Sequence, residues 1–239
     1  MPNTYFQFKQ FIIHQDKAAM KVGTDGVLLG AWASVDKCSR ILDAGTGTGL
    51  IAIMLAQRTE NTLIEAIDVD KNAIIQAQEN IALSPWSDRI KVIKSAIQDF
   101  NTEDQKVFDH VISNPPFFAN SYKNKDISKA IARHTDTLSY SELIVAANRL
   151  TSEKGRLSVI IPFDTEADFC YVARQEGFFL KRILRIRPIP KRSYIRVLIE
   201  LSKEPADSID VNEMIIEDKG RHGYSDRYID LTKDFYVKM

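Results

Sequence analysis

Short apolar runs alternate with longer amphipathic ones along most of this chain, and that rhythm admits few architectures. Residues 40–44, 63–68, 89–94, 108–113 and 156–161 read as strands. Residues 50–58, 71–84 and 141–150 read as helices, with Ala73, Ala77 and Ile81 recurring at helical spacing. Such alternation predicts an α/β fold, a mostly parallel sheet with helices on both faces. Its crossovers should be right-handed, because a right-twisted strand packs its helix back onto the sheet only that way. After residue 176 the rhythm changes. Residues 177–187 and 193–202 are strand-like around the turn-rich 188–192. They predict a hairpin that ends the sheet in an antiparallel edge. The first 38 residues do not follow the rhythm. They are expected to form an extension, 1–38, packed on a single domain spanning 39–239, with Tyr5, Phe6, Phe8 and Phe11 in the core.

A chain of 239 residues buries roughly 70–75% of its unfolded surface and needs no staples. Its two cysteines, Cys38 and Cys170, are in no C-x-x-C spacing, which argues against a zinc site or disulfide framework and for a reducing compartment. The start of the chain lacks a signal-peptide layout, and no apolar run approaches the ~18–20 residues of a membrane span. The expectation is a cytosolic protein, monomer or weak dimer, with no membrane and no metal. Net charge is zero, yet eight Lys or Arg and a single acid, Glu200, lie between residues 181 and 203. Such clustering fits a phosphate-binding face and a solvated sheet face equally well.

Three stretches carry chemistry. The first is Asp43-Ala44-Gly45-Thr46-Gly47-Thr48-Gly49, between a strand and a helix. Glycines there let the chain turn sharply and let a ligand approach the backbone, at the carboxyl end of a strand where open α/β sheets bind ligands. The G-x-G-x-G spacing, with an aspartate before it, suits a cationic adenosyl amino acid better than a dinucleotide. The second is Asp68, which ends the next strand 19 residues beyond Gly49. A carboxylate there accepts from both ribose hydroxyls, and Asp70 is left as a helix N-cap.

The third stretch is Asn114-Pro115-Pro116-Phe117. An adenine amino nitrogen is a poor nucleophile, because its lone pair is delocalised into the ring. The Asn114 side-chain oxygen and the Pro115 carbonyl can accept its two N–H bonds and steer the lone pair toward a methyl donor. Pro116 fixes the backbone, and Phe117 can stack on the base, worth ~1–3 kcal/mol.

In combination these stretches resemble the class I S-adenosylmethionine methyltransferases that act on amino groups. Residues 24–32 (TDGVLLGAW), the Asn-Pro-Pro-Phe-Phe run, Arg133-His134 and the ending DFYVKM (234–239) narrow the resemblance to the tRNA(Val) adenine-N6 methyltransferases, over nearly the whole chain. The resemblance implies a seven-stranded sheet whose last strand is antiparallel. It implies transfer of a methyl group from S-adenosylmethionine to the N6 of the adenosine next to the anticodon of a valine tRNA. Carried over residue by residue, it places Asp25, Asp43, Gly45, Thr46, Gly47 and Gly49 at the methionine end of the cofactor. Asp68, with Val69, falls at the ribose, and Asn114 to Phe117 at the target base. One departure stands out: Ala96 occupies the position where many relatives carry an acid for the cofactor's adenine, so adenine recognition is left unassigned.

Lys123, Lys125 and Lys129, the pair Arg133 and His134, and Arg187, Lys191 and Arg192 of the basic hairpin are the candidate tRNA contacts, holding phosphates around a flipped-out adenosine. For Arg133 and His134 a plain surface role has equal weight. Guanine-N2 methylation of ribosomal RNA and methylation of a glutamine amide in a protein share the Asn-Pro-Pro-aromatic motif and stay open. So does a non-catalytic RNA-binding module, against which the intact glycine loop, Asp68 and Asn114 speak.

Overall fold

A computed structural model of the chain describes residues 3–102, 107–116 and 138–238. A small antiparallel hairpin, β1 (Tyr5–Gln7) and β2 (Ile12–His14), leads into helix α1 (Thr24–Trp32). Then come β3 (Arg40–Ala44), α2 (Leu50–Gln57), β4 (Leu63–Asp68), α3 (Lys71–Ala82), β5 (Ile90–Lys94) and β6 (Phe108–Ser113). Beyond them lie α4 (Tyr140–Leu150), β7 (Thr151–Pro162), α5 (Glu166–Gln175), β8 (Phe179–Arg187) and β9 (Arg196–Ser202). The last elements are β10 (Asp210–Ile215) and α6 (Asp226–Thr232).

The main sheet has the order β10-β8-β9-β7-β6-β3-β4-β5. Only β9 runs antiparallel to its neighbours, and it is the last of the seven expected strands. Two expectations need correction. The sheet has eight strands, because β10 adds beyond β8 in parallel. The 177–202 hairpin is antiparallel but is not the edge, since β10 pairs on the outer side of β8, while β9 lies between β8 and β7. The physical reason is that β9 is apolar on both sides, with Val197, Leu198, Ile199 and Leu201 all buried, and so needs two neighbours. By contrast, β10 exposes Asp210, Val211 and Glu213 and buries Met214, the half-solvated profile of an edge.

Side chains alternate across the sheet with the two-residue period of strands. Ile41, Ile64 and Ile160 enter the core shared with α1, α2 and α3. Leu42, Ile67 and Val159 enter the core shared with α4 and α5. Helix α2 is buried on every side, between sheet and α1. The two helices approach closely because α1 carries glycine at the contact. A Cβ on Gly30 would stand 2.9 Å from Met54 Sδ, and one on Gly26 3.1 Å from Leu50 Cδ2.

Of the four N-terminal aromatics, Phe8 and Phe11 are buried and Phe6 packs partly against the same core. Tyr5 is the exception, 51% exposed, because it lies on the outer side of the β1–β2 hairpin. Phe8 pairs with Tyr236 and the Lys9 amide donates to the Phe235 carbonyl at 2.8 Å, so the two ends of the chain are held together.

Candidate active site

At the carboxyl end of β3 the chain reverses through Gly45, Gly47 and Gly49, all with positive φ. Nothing stands within 4 Å of where a Cβ would be at Gly45 or Gly47. Gly49 is different in kind. A Cβ there would stand 3.4 Å from Ala77 and Ile81 of α3. The loop is held from below by Asp43, whose Oδ2 accepts from Thr46 Oγ1 at 2.6 Å and from the Ala52 amide at 3.1 Å. Asp43 thereby caps α2, where the N-cap Gly49 has no side chain to do so. Its Oδ1 is buried with no partner, and burial pushes the carboxyl up to about 7.

From β4, Asp68 reaches the same loop, accepting from the Gly47 amide through Oδ2 and from the Asp70 amide through Oδ1, both at 2.9 Å. Asp70 caps α3 through the Ala73 amide at 2.7 Å. Val69 is 63% exposed. At the end of β6, Ser113 Oγ donates to the Ala44 carbonyl at 2.8 Å, which fixes Asn114 beside the glycine loop.

These elements surround a cavity of about 380 Å³, within the range of small-molecule sites. Gly45, Thr46, Gly47, Asp25 and Asn114 line it. Asp43, Gly49, Asp68, Val69 and Pro115 are not among its lining residues, and the first three shape the loop that lines it. Asn114 Oδ1 is buried and has no hydrogen-bond partner among the described residues, Pro115 is buried, and Pro116 is exposed. Phe117, Lys123, Lys125, Lys129, Arg133 and His134 lie outside the described residues.

Sequence reasoning did not find three parts of the wall. Residues 20–24 cover one side, Ile186 and Ile195 line another, and Arg196 stands between them. Arg196 Nε donates to Asp25 Oδ2 at 2.8 Å, joining α1 to β9 across 171 positions of sequence. No local pattern signals such a pair. It also removes Arg196 from the cluster read as a phosphate-binding face, and others leave with it. Arg182 pairs with Glu200 at 2.9 Å, Arg185 with Glu166 at 2.6 Å, and Lys203 donates to the Asn148 and Thr151 carbonyls. Arg187 lies 4.0 Å over the Tyr194 ring and 3.6 Å from Glu213. Lys191 and Arg192 are exposed at the hairpin tip, next to Ile195 at the cavity.

The donor set fits the S-adenosylmethionine implied by the sequence. Asp25 and the glycine loop together offer a carboxylate and bare backbone to an amino acid terminus, and the unpartnered Asn114 oxygen awaits a donor on the other side. Among the described residues no group of His, Cys, Asp or Glu could hold a metal ion, and no helix is long and apolar enough to cross a membrane.

A family model described as the methyltransferase small domain matches residues 21–162. A tRNA1(Val) (adenine(37)-N6)-methyltransferase of Parabacteroides distasonis is 45% identical over all of both chains. One of the same description from Trichodesmium erythraeum is 47% identical, again over all of both. Among solved structures, a predicted O-methyltransferase of Agrobacterium tumefaciens superimposes with a TM-score of 0.69 at 21% identity, covering 88% of this chain and 96% of that one. Pyrococcus horikoshii TYW2 in complex with MeSAdo gives 0.58 at 15%, covering 83% and 70%. At those identities the two structures speak for the class I methyltransferase fold alone.

Proposed function

The chain belongs to the family of tRNA1(Val) (adenine(37)-N6)-methyltransferases, and on that premise we propose that it methylates N6 of adenosine 37, beside the anticodon, of a valine tRNA. The observation that carries the proposal is the buried, unpartnered Oδ1 of Asn114, fixed by Ser113 beside a glycine loop that lines the same cavity. A buried acceptor without a donor costs free energy, and an N6 amino group supplies one. S-adenosylmethionine, when bound, supplies an electrophilic methyl group, so the protein's task is orientation rather than strong base catalysis. Asn114 Oδ1 accepts one N6–H bond and the Pro115 carbonyl the other, which leaves the nitrogen lone pair directed at the donor. Gly45, Thr46 and Gly47 hold the donor's amino acid end with Asp25. Asp68, Val69 and Gly49 complete the cofactor set, Asp68 turning its remaining lone pairs to the ribose. Pro116 and Phe117 take the base.

For the RNA, Arg187, Lys191 and Arg192, together with Lys123, Lys125, Arg133 and His134, hold flanking phosphates. The enzyme works in the cytosol as a monomer or weak dimer, without a metal.

The test is methyl transfer from labelled S-adenosylmethionine to tRNA from a strain lacking the gene, followed by nucleoside digestion and mass spectrometry. N6-methyladenosine is expected with the wild type and a loss of about 10²-fold or more with Asn114→Ala, the scale of removing one oriented polar group from an active site. Unmodified tRNA from a protein that binds the cofactor would discard the substrate and leave ribosomal RNA and protein glutamine to be tried.

A further inference from the structure

The wall formed by residues 20–24 is the end of a strap, 14–24, that runs from the last residue of β2 to the first of α1 beside the glycine loop. Three buried amide side chains fasten it. Asn80 of α3 accepts from the His14 amide through Oδ1 and donates through Nδ2 to the His14 carbonyl, both at 2.8 Å, as a neighbouring strand would. The second Nδ2 hydrogen goes to the Thr48 carbonyl of the glycine loop, also at 2.8 Å. Gln76, one turn earlier, accepts from the Lys17 amide at 2.9 Å, and Gln15 accepts from the Val22 amide at 2.8 Å. Asn80 and Gln76 are fully buried and Gln15 nearly so. Ordinary core packing does not explain polar side chains there. Their oxygens accept from the backbone amides of His14, Lys17 and Val22, and Asn80 also reaches the Thr48 carbonyl; Val22 and Thr48 both line the cavity. The Asn80 amide uses both N–H donors and accepts through Oδ1, so neither of its polar atoms is left without a partner.

We infer that Asn80 is a positioning residue that locks the strap and the glycine loop in register around the methyl donor. It touches neither donor nor target base, and acts through the His14 and Thr48 backbone. Losing it lets the two walls move apart, which weakens donor binding while leaving the Asn114 chemistry intact once the donor is seated. Gln76 serves the strap alone. The inference rests on the methyltransferase reading above, because the cavity's occupant is taken from it.

The probe is S-adenosylhomocysteine, the demethylated donor, bound to the full-length protein in a calorimeter, with amide hydrogen exchange measured alongside. Asn80→Leu keeps the volume and removes all three bonds. Its dissociation constant should rise roughly ten-fold or more, the scale of losing buried hydrogen bonds, with kcat at saturating donor within about two-fold of wild type. Exchange should quicken at His14, Lys17 and residues 46–49 while the sheet stays protected. Gln76→Leu should give a smaller rise with faster exchange in the strap only, and it carries the test if Asn80→Leu does not fold. Affinities within two-fold of wild type in both variants overturn the inference. So does an equal fall in kcat and affinity with fast exchange throughout the sheet, which would mark Asn80 as a residue of the fold. If wild-type protein binds no S-adenosylhomocysteine, the methyltransferase reading fails and takes this inference with it.

Discussion

An alanine at position 114 removes both the acceptor oxygen and the side chain's bulk, whereas an aspartate keeps an oxygen where Oδ1 stands. The two substitutions therefore separate hydrogen-bond acceptance from mere filling of space. A carboxyl at this buried atom position is disfavoured in its charged form, so its pKa is raised. Protonated, it offers a hydroxyl that competes with the N6 donor; ionised, it accepts. Activity of Asn114→Asp should thus lie between wild type and Asn114→Ala and climb with pH as the carboxyl ionises, while Asn114→Ala stays low at every pH. Rates from pH 6 to 9 at saturating donor decide the matter. An Asn114→Asp variant as dead as the alanine variant throughout would show that acceptance by this one oxygen is not what matters. The same scale shows how little a residue's identity says about its duty. Asp43 and Asp68 were both expected at the cofactor, yet both spend oxygens on building the loop, through Thr46, Ala52 and Gly47.

Helix α1 illustrates what an element can hide. Its two glycines weaken helix propensity by about 1 kcal/mol each relative to alanine, so a sequence pattern does not announce it. They are tolerated because they let α1 settle on α2. Gly30→Ala should nevertheless destabilise the protein by about 1–2 kcal/mol, the cost of overpacking against Met54 exceeding the gain in propensity. Gly26→Ala, whose new methyl meets only the end of Leu50, should come out near neutral. Urea unfolding midpoints measure both, and a stabilised Gly30→Ala would refute the packing account. The β/α series from β3 to β6 was legible because every element there carries its own period, and the glycine loop because it punctuates that series. Helix α1, the strap and β10 were not. Their stability comes from partners far along the chain, such as Arg196 for Asp25 of α1 and Gln76 for Lys17 of the strap. The hairpin tip between β8 and β9 carries a third test. With Arg182, Arg185, Arg196 and Lys203 engaged internally, Lys191 and Arg192 are the exposed cations of the tip. Reversing both to Glu should lower the slope of log affinity against log salt by about 1–2, since each neutralised phosphate of single-stranded RNA adds ~0.7. An unchanged slope would place the RNA elsewhere.

At the scale of the whole molecule, two buried groups titrate against each other. His110, in β6, donates through Nδ1 to the Ser34 carbonyl at 2.8 Å, and its neutral ring accepts the Ser158 hydroxyl at Nε2, 2.9 Å away; Ser158 Oγ also lies 3.2 Å from Glu200, which accepts from the Ser34 amide and Arg182. The network ties the end of α1 to β6, β7, β9 and β8. Burial lowers the His110 imidazole to about 4. Burial raises the Asp43 carboxyl to about 7. The signs are opposite. Between about pH 4 and 6.5 the unfolded chain binds a proton at His110 that the folded protein refuses, so this contribution is complete above 6.5 and is lost as pH falls. Between about pH 4 and 7 the folded protein keeps a proton on Asp43 that the unfolded chain releases, so this contribution is present at low pH and is lost as pH rises. One pH unit of displacement corresponds to ~1.4 kcal/mol, so each contribution is a few kcal/mol and the two nearly cancel over their shared window. Wild-type stability should therefore change little between pH 4.5 and 6.5. His110→Gln, which no longer titrates, should become less stable as pH rises across that window, and Asp43→Asn more stable. Both substitutions also carry pH-independent costs from altered hydrogen bonds, so the comparison is of slopes, read from urea midpoints at half-unit steps. Slopes equal to the wild type's in both variants would mean that neither group holds its proton as its surroundings dictate. Opposite slopes would show that a neutral buried imidazole and a protonated loop carboxyl have been balanced against one another in one fold.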